Sequence, residues 1–175
     1  ADWADSIGGF GREKRLAIMK DVSVGAFGAL ALILDVVLRV VIFSKLMASG
    51  SLIWILVVTV IAKDMMVELT TTLPYARARE GMAGPFVAGA SGEHRFLSHC
   101  LCLMVCLLFG PFGVGLFLLG WGFTILFGKR CRKQFGGITG DLLGTANELV
   151  SLLLLLFCAA WGETIMSVTG WFWLR

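Results

Sequence analysis

Residues 24–43 read VGAFGALALILDVVLRVVIF, an apolar run that is long enough to cross a lipid bilayer as a helix. Hydrophobic residues make up 58% of the 175-residue chain and charged residues only 15%, and the mean hydropathy is +0.87. A soluble domain is about half apolar and about a quarter charged. The composition therefore predicts an integral membrane protein.

Similar apolar segments recur along the rest of the chain. The predicted membrane spans lie near residues 24–43, 51–72, 96–109, 113–127 and 149–171. The third and fourth spans are short, and Gly110-Pro111 between them predicts a tight turn. The last span ends near Trp171 and Trp173, a residue type common at membrane interfaces. We therefore expect an all-α fold, a polytopic helical bundle of about five transmembrane helices in a single domain over residues 1–175.

Lysine and arginine are concentrated in alternate connections between these spans. Residues 1–23 hold four of them, residues 73–95 three and residues 128–148 four, whereas the opposite connections hold only Lys45 and Arg175. The positive-inside rule places the three basic connections on the cytoplasmic side of the membrane. Because the net charge is only +3 and the basic residues lie in short loops, we expect membrane lipid and no nucleic acid as a partner.

The chain opens on the polar run ADWAD, without an initiator methionine or a secretory signal, which is typical of a fragment of a longer protein. Its cysteines form no CxxC motif and have no histidine at ligand spacing. They are Cys100, Cys102, Cys106, Cys131 and Cys158. This spacing predicts packing thiols rather than metal ligands.

Ionisable residues inside the predicted spans admit two interpretations. Asp35 and Arg39 stand at positions i and i+4, which favours an ion pair within the first span. In the second span Asp64 and Glu68 share a helix face, and a functional role and internal pairing are both compatible with them. These four residues would also suit an ion-coupled transporter, which is an alternative. The internal repeats and broken helices typical of transporters do not occur in this sequence.

The stretch GGITGDLLGTANE, residues 136–148, combines glycines with two carboxylates next to a basic cluster at residues 129–133. On a helix, Asp141, Thr145 and Glu148 would share one face. Carboxylates beside cations, in a segment that borders a membrane span, suit a metal-bound phosphate. This pattern predicts a functional site at the cytoplasmic end of the bundle.

Four motifs occur in a recognisable order: WADSIGG at residues 3–9, MKDVSVGAFG at 19–28, PYARAREG at 74–81 and the stretch at 136–148. This order resembles the cobalamin synthase family of membrane adenosylcobinamide-GDP ribazoletransferases over residues 1–157. The stretch at 136–148 is similar to the specific signature of that family, Gly-Gly-x-Thr-Gly-Asp-x-x-Gly-x-x-x-Glu. The other three motifs are individually weak.

The resemblance implies a transferase that joins adenosylcobinamide-GDP to α-ribazole, or its 5′-phosphate, with release of GMP. This is the nucleotide-loop assembly step of cobalamin biosynthesis. The implied location is the inner membrane of a prokaryote, with the site facing the cytoplasm. The implied cofactor is Mg²⁺, because phosphoryl transfer requires charge neutralisation. Small residues at the start of the first span permit close helix packing, either within one chain or between the chains of an oligomer.

The resemblance also implies the residues of the site. The candidate catalytic and magnesium-binding carboxylates are Asp5, Asp141 and Glu148. The candidate phosphate-binding residues are Lys20, Lys63, Arg77, Gly136, Gly137, Thr139 and Gly140. Since Asp141 and Glu148 are about 10 Å apart along a helix axis, we expect one of them to act as a general base on the acceptor hydroxyl.

The chain departs from the family pattern at several positions. Ala1 and Gly8 stand where the family has aspartates, Lys63 where it has an arginine, and Ser151 where it has a second glutamate. The N-terminal part of the pattern has no counterpart, so an N-terminally truncated, non-catalytic homologue is a further alternative. A CDP-alcohol phosphotransferase is less consistent, because its Asp-Gly-x-x-Ala-Arg pattern is missing.

Overall fold

The structure, a computed structural model, describes residues 1–77, 81 and 83–169, without the side chains of 163 and 165–169. These residues form α-helices joined by short connections. The helices are α1 (Asp2–Ser6), α2 (Arg12–Ile18), α3 (Ala26–Ala48), α4 (Ile53–Thr72), α5 (Gly84–Gly89), α6 (Gly92–Leu108), α7 (Gly110–Phe135) and α8 (Gly140–Thr169). The predicted all-α fold is confirmed.

Three of the helices are long and apolar enough to cross a membrane, at Ala26–Ala48, Gly110–Phe135 and Gly140–Gly162. The protein is therefore an all-α membrane helical bundle. The helices α4 and α6 coincide with the other two predicted spans, but α4 carries three charged residues and α6 is only 17 residues long. A total of five spans remains a prediction.

The last two long helices extend beyond the predicted spans. The helix α7 continues through the basic cluster to Phe135, and α8 begins at Gly140 rather than near Leu149. The predicted spans covered only the apolar residues, whereas a helix continues into the polar interface until a capping residue ends it. The predicted turn at Gly110 is present, with Gly110 at φ 71°. Trp171 and Trp173 lie outside the described residues.

The core of the bundle surrounds α4. Its side chains Val57, Val58, Ile61 and Met65 are fully buried against α6, α7 and α8. Where α7 crosses this core it carries Gly120, and a Cβ there would press on Ile61 of α4 and Leu154 of α8. Small residues at such crossings let membrane helices approach closely. The glycine therefore permits close packing of α7 around the middle of α4.

The cysteines of the described residues are all free thiols. Cys102, Cys106, Cys131 and Cys158 are buried, whereas Cys100 is exposed on α6. Cys102, Cys106 and Cys158 belong to the core around α4. The buried four thus behave as packing residues, as the spacing predicts.

A second apolar cluster lies at the end of the bundle where α7 and α8 meet. Met19, from the end of α2, packs there with Phe135, Ile138 and Leu142. Trp3 of α1 lies against Phe127 with ring centroids 5.9 Å apart. This cluster holds the N-terminal segment beside the 136–148 stretch and so brings the sequence motifs to one end of the bundle.

The N-terminal segment is also joined to α3 through Asp5. The backbone N–H groups of Gly25 and Gly28 donate to the two carboxylate oxygens of Asp5, at 2.9 and 2.8 Å. These N–H groups belong to the first turn of α3, where a helix has no internal acceptors for them. A Cβ at either glycine would overlap the Asp5 carboxylate. The small residues at the start of α3 therefore accommodate a carboxylate cap.

We expect Gly28→Ala to destabilise the protein by about 1–3 kcal/mol, because the new Cβ displaces the Asp5 carboxylate. The matched control is Gly122→Ala in α7, where a Cβ meets nothing within 4 Å. The control should be neutral or stabilising by up to about 1 kcal/mol, since alanine favours helix over glycine. Thermal unfolding of the two variants in detergent measures the difference, and equal melting temperatures would contradict the assignment.

Candidate functional site

Two loops from distant parts of the sequence are hydrogen-bonded to each other at the site. The N–H of Ile138 donates to the carbonyl of Pro74 at 2.9 Å, and the N–H of Ala76 donates to the carbonyl of Ile138 at 2.8 Å. At Gly137 a Cβ would collide with the Pro74 carbonyl. Glycine at this position therefore permits the close approach of the two loops, and the loops in turn place Arg77 beside the start of α8.

The Gly-Gly-x-Thr-Gly-Asp stretch supplies the end of one helix and the start of the next. Gly136, at φ 77°, adopts the left-handed conformation that ends α7. The buried hydroxyl of Thr139 accepts a hydrogen bond from the N–H of Leu142 at 3.3 Å and caps α8. Asp141 then lies in the first turn of α8, where the helix dipole stabilises a negative charge. The motif is thus a helix–loop–helix joint that presents one carboxylate.

Arg77 binds this carboxylate. Its Nη2 lies 2.9 Å from Oδ2 of Asp141 and 3.4 Å from the carbonyl of Met19. No hydrogen bond accompanies this ion pair: the buried Oδ2 of Asp141 and the buried Nε of Arg77 have no hydrogen-bond partner among the described residues. A buried polar atom without a hydrogen bond is costly and needs an explanation.

Asp141 lines a cleft of about 510 Å³ between α1, α3 and α8. Three further carboxylates line the same cleft, from Asp2, Asp35 and Glu148. Its other walls are largely apolar and include Leu34 of α3. We call this space the acidic cleft. It combines several acidic side chains with room for part of a larger ligand.

Arg39 partly neutralises the acidic cleft. Its Nε lies 2.8 Å from Oδ2 of Asp35, so the predicted pair is confirmed. Its Nη2 also lies 2.7 Å from Oε2 of Glu148, and its Nη1 donates to the Ser151 hydroxyl at 3.4 Å. Arg39 therefore bridges α3 and α8 across the cleft, and Glu148 acts there as its anchor.

The stripe predicted on α8 is present, but its carboxylates have different partners. Asp141 pairs with Arg77, and Glu148 pairs with Arg39. The hydroxyl of Thr145 donates to the carbonyl of Asp141 at 2.8 Å. Both carboxylates line the acidic cleft, but each has a partner of its own.

The other predicted site residues are distributed around this joint. Asp5 caps α3, and Lys20 follows Met19 in the turn after α2. Gly140 is exposed at the N-terminus of α8. The structure does not bring Lys63 to the acidic cleft, because it is exposed on α4 and lines a separate cavity of about 350 Å³. Glu80 of the 74–81 motif lies outside the described residues.

Asp21, which the topology predicts on the same side of the membrane, does not line the acidic cleft. The hydroxyl and the N–H of Ser23 donate to its Oδ1 at 2.6 and 3.0 Å. These hydrogen bonds lower the pKa of Asp21 below its usual value. Asp21 therefore stabilises the turn before α3.

The carboxylates of α4 are paired with His99 of α6, which the sequence did not single out. The His99 ring nitrogens lie 2.8 Å from Oδ2 of Asp64 and 3.0 Å from Oε2 of Glu68. The hydroxyl of Ser98 also donates to Asp64 at 2.5 Å. Internal pairing accounts for these membrane charges without a transport function. The sequence did contain a signal for this pairing, because His99 is an ionisable residue within a predicted span.

Few side chains in the described part of the chain are placed to bind Mg²⁺. Within the described ranges, no three His, Cys, Asp or Glu side chains form a metal-binding group. The oxygens of Asp5 and Glu148 already accept hydrogen bonds, whereas Oδ2 of Asp141 has no such bond. Mg²⁺ is often held by one or two carboxylates together with water and substrate phosphates. A single carboxylate together with substrate phosphates would satisfy that kind of binding, and the Asp141 carboxylate, which pairs with Arg77 but lacks a hydrogen bond at Oδ2, is the candidate ligand.

The fold and the acidic cleft define a membrane helical protein with a carboxylate site at one end of its bundle. The chain belongs to the cobalamin-5-phosphate synthase family, whose model matches residues 1–159. No solved structure matches the chain.

Relatives of the chain carry the name adenosylcobinamide-GDP ribazoletransferase. The protein from Chlorobium phaeobacteroides is 40% identical over 159 residues, which are 87% of this chain and 64% of the relative. That from Syntrophobacter fumaroxidans is 39% identical over 157 residues, covering 89% of this chain and 63% of the relative. The chain thus spans slightly less than two thirds of the length of these two relatives.

The Arg77–Asp141 contact predicts a measurable coupling. In a double-mutant cycle of Arg77→Gln and Asp141→Asn, the effects on unfolding free energy should be non-additive by about 1 kcal/mol, since each single change removes the same ion pair. The control cycle combines Arg77→Gln with Glu93→Gln, an exposed residue on α6. Denaturant unfolding in detergent measures both cycles. Additivity in the first cycle would mean that the pair contributes nothing to the joint.

Proposed function

We propose that the protein is a membrane transferase that joins adenosylcobinamide-GDP to α-ribazole, or its 5′-phosphate, and releases GMP. The observation that carries this proposal is Asp141, a lining residue of the acidic cleft whose buried Oδ2 pairs with Arg77 without forming a hydrogen bond. It belongs to the most specific motif of the chain, and relatives about 40% identical are named for this reaction. The reaction is the nucleotide-loop assembly step of cobalamin biosynthesis.

In this proposal Asp141 orients the acceptor hydroxyl and accepts its proton as the new phosphoester bond forms. Arg77, 2.9 Å from Asp141, holds the carboxylate in place and offers positive charge to the adjacent phosphate. Gly140 lies at the N-terminus of α8, where the helix dipole favours an anion. GMP leaves as the bond between the two phosphates of the donor breaks.

The other motif residues position these groups. Asp5 fixes the start of α3, and Glu148 holds Arg39 across the cleft. Gly136, Gly137 and Thr139 shape the joint that carries Asp141. Lys20 remains a candidate phosphate ligand in the turn beside Met19. The proposal thus separates one reacting carboxylate from two that hold the walls of the site.

Mg²⁺ belongs to this proposal as the cofactor, with Asp141 as its ligand from the described residues. When bound, it would neutralise negative charge on the donor diphosphate.

The apolar walls of the cleft include Leu32, Leu38 and Leu152, side chains from the membrane-spanning helices. They support a substrate that approaches from the membrane interface.

The proposed location is the inner membrane of a prokaryote, with the acidic cleft facing the cytoplasm. The basic residues of α2 and of the end of α7 lie at the same end of the bundle as the joint. The positive-inside rule assigns such an end to the cytoplasm. Soluble nucleotide substrates would reach the site from that side.

Asp141→Asn should lower transferase turnover at least about tenfold, because the amide cannot accept the proton. The assay uses the full-length protein in lipid with adenosylcobinamide-GDP, α-ribazole 5′-phosphate and Mg²⁺, and follows the cobalamin product. Glu93→Gln is the control for an exposed carboxylate. Unchanged turnover in the Asp141 variant, with an active wild type, would remove Asp141 from the reaction.

Chelation with EDTA should abolish turnover, and added Mg²⁺ should restore it, because the donor diphosphate needs charge neutralisation. Thermal unfolding measured in parallel separates loss of the cofactor from loss of the fold. Full activity in EDTA would contradict the magnesium part of the proposal and leave the assignment of Asp141 in place.

A further inference from the structure

A further cavity, of about 740 Å³, lies between α2 and the end of α7. Among the residues that the structure describes, its lining contains five cationic side chains and no carboxylate. The cations are Arg12, Arg15, Lys129, Arg130 and Lys133. The other described lining residues are Gly11, Leu126 and Gln134. We call this space the cationic cavity. None of these residues lines the acidic cleft.

The cations of this cavity differ from other arginines of the chain in having no acidic partner. Arg39, Arg77 and Arg95 each have a carboxylate oxygen within 4.0 Å. Among the residues that the structure describes, none of the five cavity cations has such a contact. Like charges gathered in one place repel each other unless an anion compensates them. The cavity therefore favours a ligand with more than one negative charge.

Two of the five cations are held in place by backbone carbonyl groups. Nη2 of Arg12 donates to the carbonyl of Ala76 at 3.0 Å, and Nε of Arg15 donates to the carbonyl of Gly9 at 2.8 Å. A carbonyl fixes the direction of a guanidinium without cancelling its charge. At Gly136 a Cβ would press on the Arg12 guanidinium, so the glycine leaves space for it. The cavity is thus partly preorganised, which lowers the entropy cost of binding.

The cationic cavity lies where an apolar helix ends. Lys129 and Lys133 stand at positions i and i+4 in the last turns of α7, which is long and apolar enough to cross a membrane. Leu126, which also lines the cavity, is 66% exposed. Cations directly after an apolar segment lie at the level of lipid headgroups. An anionic group with an apolar part beside it would fit this arrangement.

We infer that the cationic cavity binds a phosphate-bearing anion, separately from the acidic cleft. The chemistry has two possible sources, the headgroup of an anionic phospholipid and the diphosphate of a soluble nucleotide. Both present phosphate oxygens to guanidinium and ammonium donors. The inference does not depend on the proposed reaction, because it rests on residues outside the acidic cleft.

The test compares two double variants that each lose two positive charges. The cavity variant carries Lys129→Gln and Lys133→Gln, and the control carries Lys14→Gln and Lys45→Gln. Lys14 is exposed on α2 and Lys45 is exposed on α3, and neither lines the cationic cavity. One arm places the full-length protein in nanodiscs containing phosphatidylcholine with phosphatidylglycerol and measures retained lipid by native mass spectrometry. The other arm uses phosphatidylcholine alone and measures binding of GDP by calorimetry. Both arms use about 0.15 M salt, which screens distant charges.

Lys129 and Lys133 line the cavity and would both contact the bound phosphate, whereas Lys14 and Lys45 would not. A cation at an anionic headgroup contributes about fivefold, so the cavity variant should lose about tenfold or more in binding. The control should lose less than about twofold. A selective loss in the phosphatidylglycerol arm identifies a lipid headgroup, and a selective loss in the GDP arm identifies a nucleotide. Equal losses in the two variants, or a wild type that binds neither probe, would overturn the inference.

Discussion

The paired hydrogen bonds between Pro74, Ala76 and Ile138 are the interaction on which the rest of the site depends. They join the loop after α4 to the loop between α7 and α8. Both loops are irregular, and buried backbone groups need partners wherever water is scarce. The pairing supplies those partners and brings Arg77 to Asp141. Without it, the two motifs would be separate helix ends with no common chemistry.

Charge compensation across helices explains how so many ionisable residues exist in an apolar bundle. Arg39 pairs with Asp35 and Glu148, while His99 pairs with Asp64 and Glu68. Each cluster joins two helices, so the charges that are costly in lipid also specify which helices are neighbours. The second cluster lies beside the apolar core around α4, since Asp64 is buried and the His99 ring contacts the core residue Phe117. Packing and polar pairing therefore act together in this part of the bundle.

The helices and the local pair of Asp35 with Arg39 could be predicted from the sequence, because apolar length and i, i+4 spacing are local properties. The hydrogen bond that Arg39 donates to Glu148 and the one between His99 and Asp64 could not be predicted, since they join residues distant in sequence whose meeting depends on packing. The family resemblance placed Lys63 in the site, because it stands where the family has an arginine, but the rotation of α4 directs it to another cavity. The proximity of the motifs was predictable, and the identity of their partners was not.

The attachment of α3 has a consequence for access to the acidic cleft. Its only buried residues are Gly28, Ile42 and Leu46, so the part that walls the cleft adds nothing to the core. That part is held at one end by the Asp5 cap and at the other by Arg39. The width of the gap therefore depends on these two polar contacts as well as on the packing of α3 against α1 and α8. A substitution that removes either contact would alter the shape of the acidic cleft without opening a hole in the core.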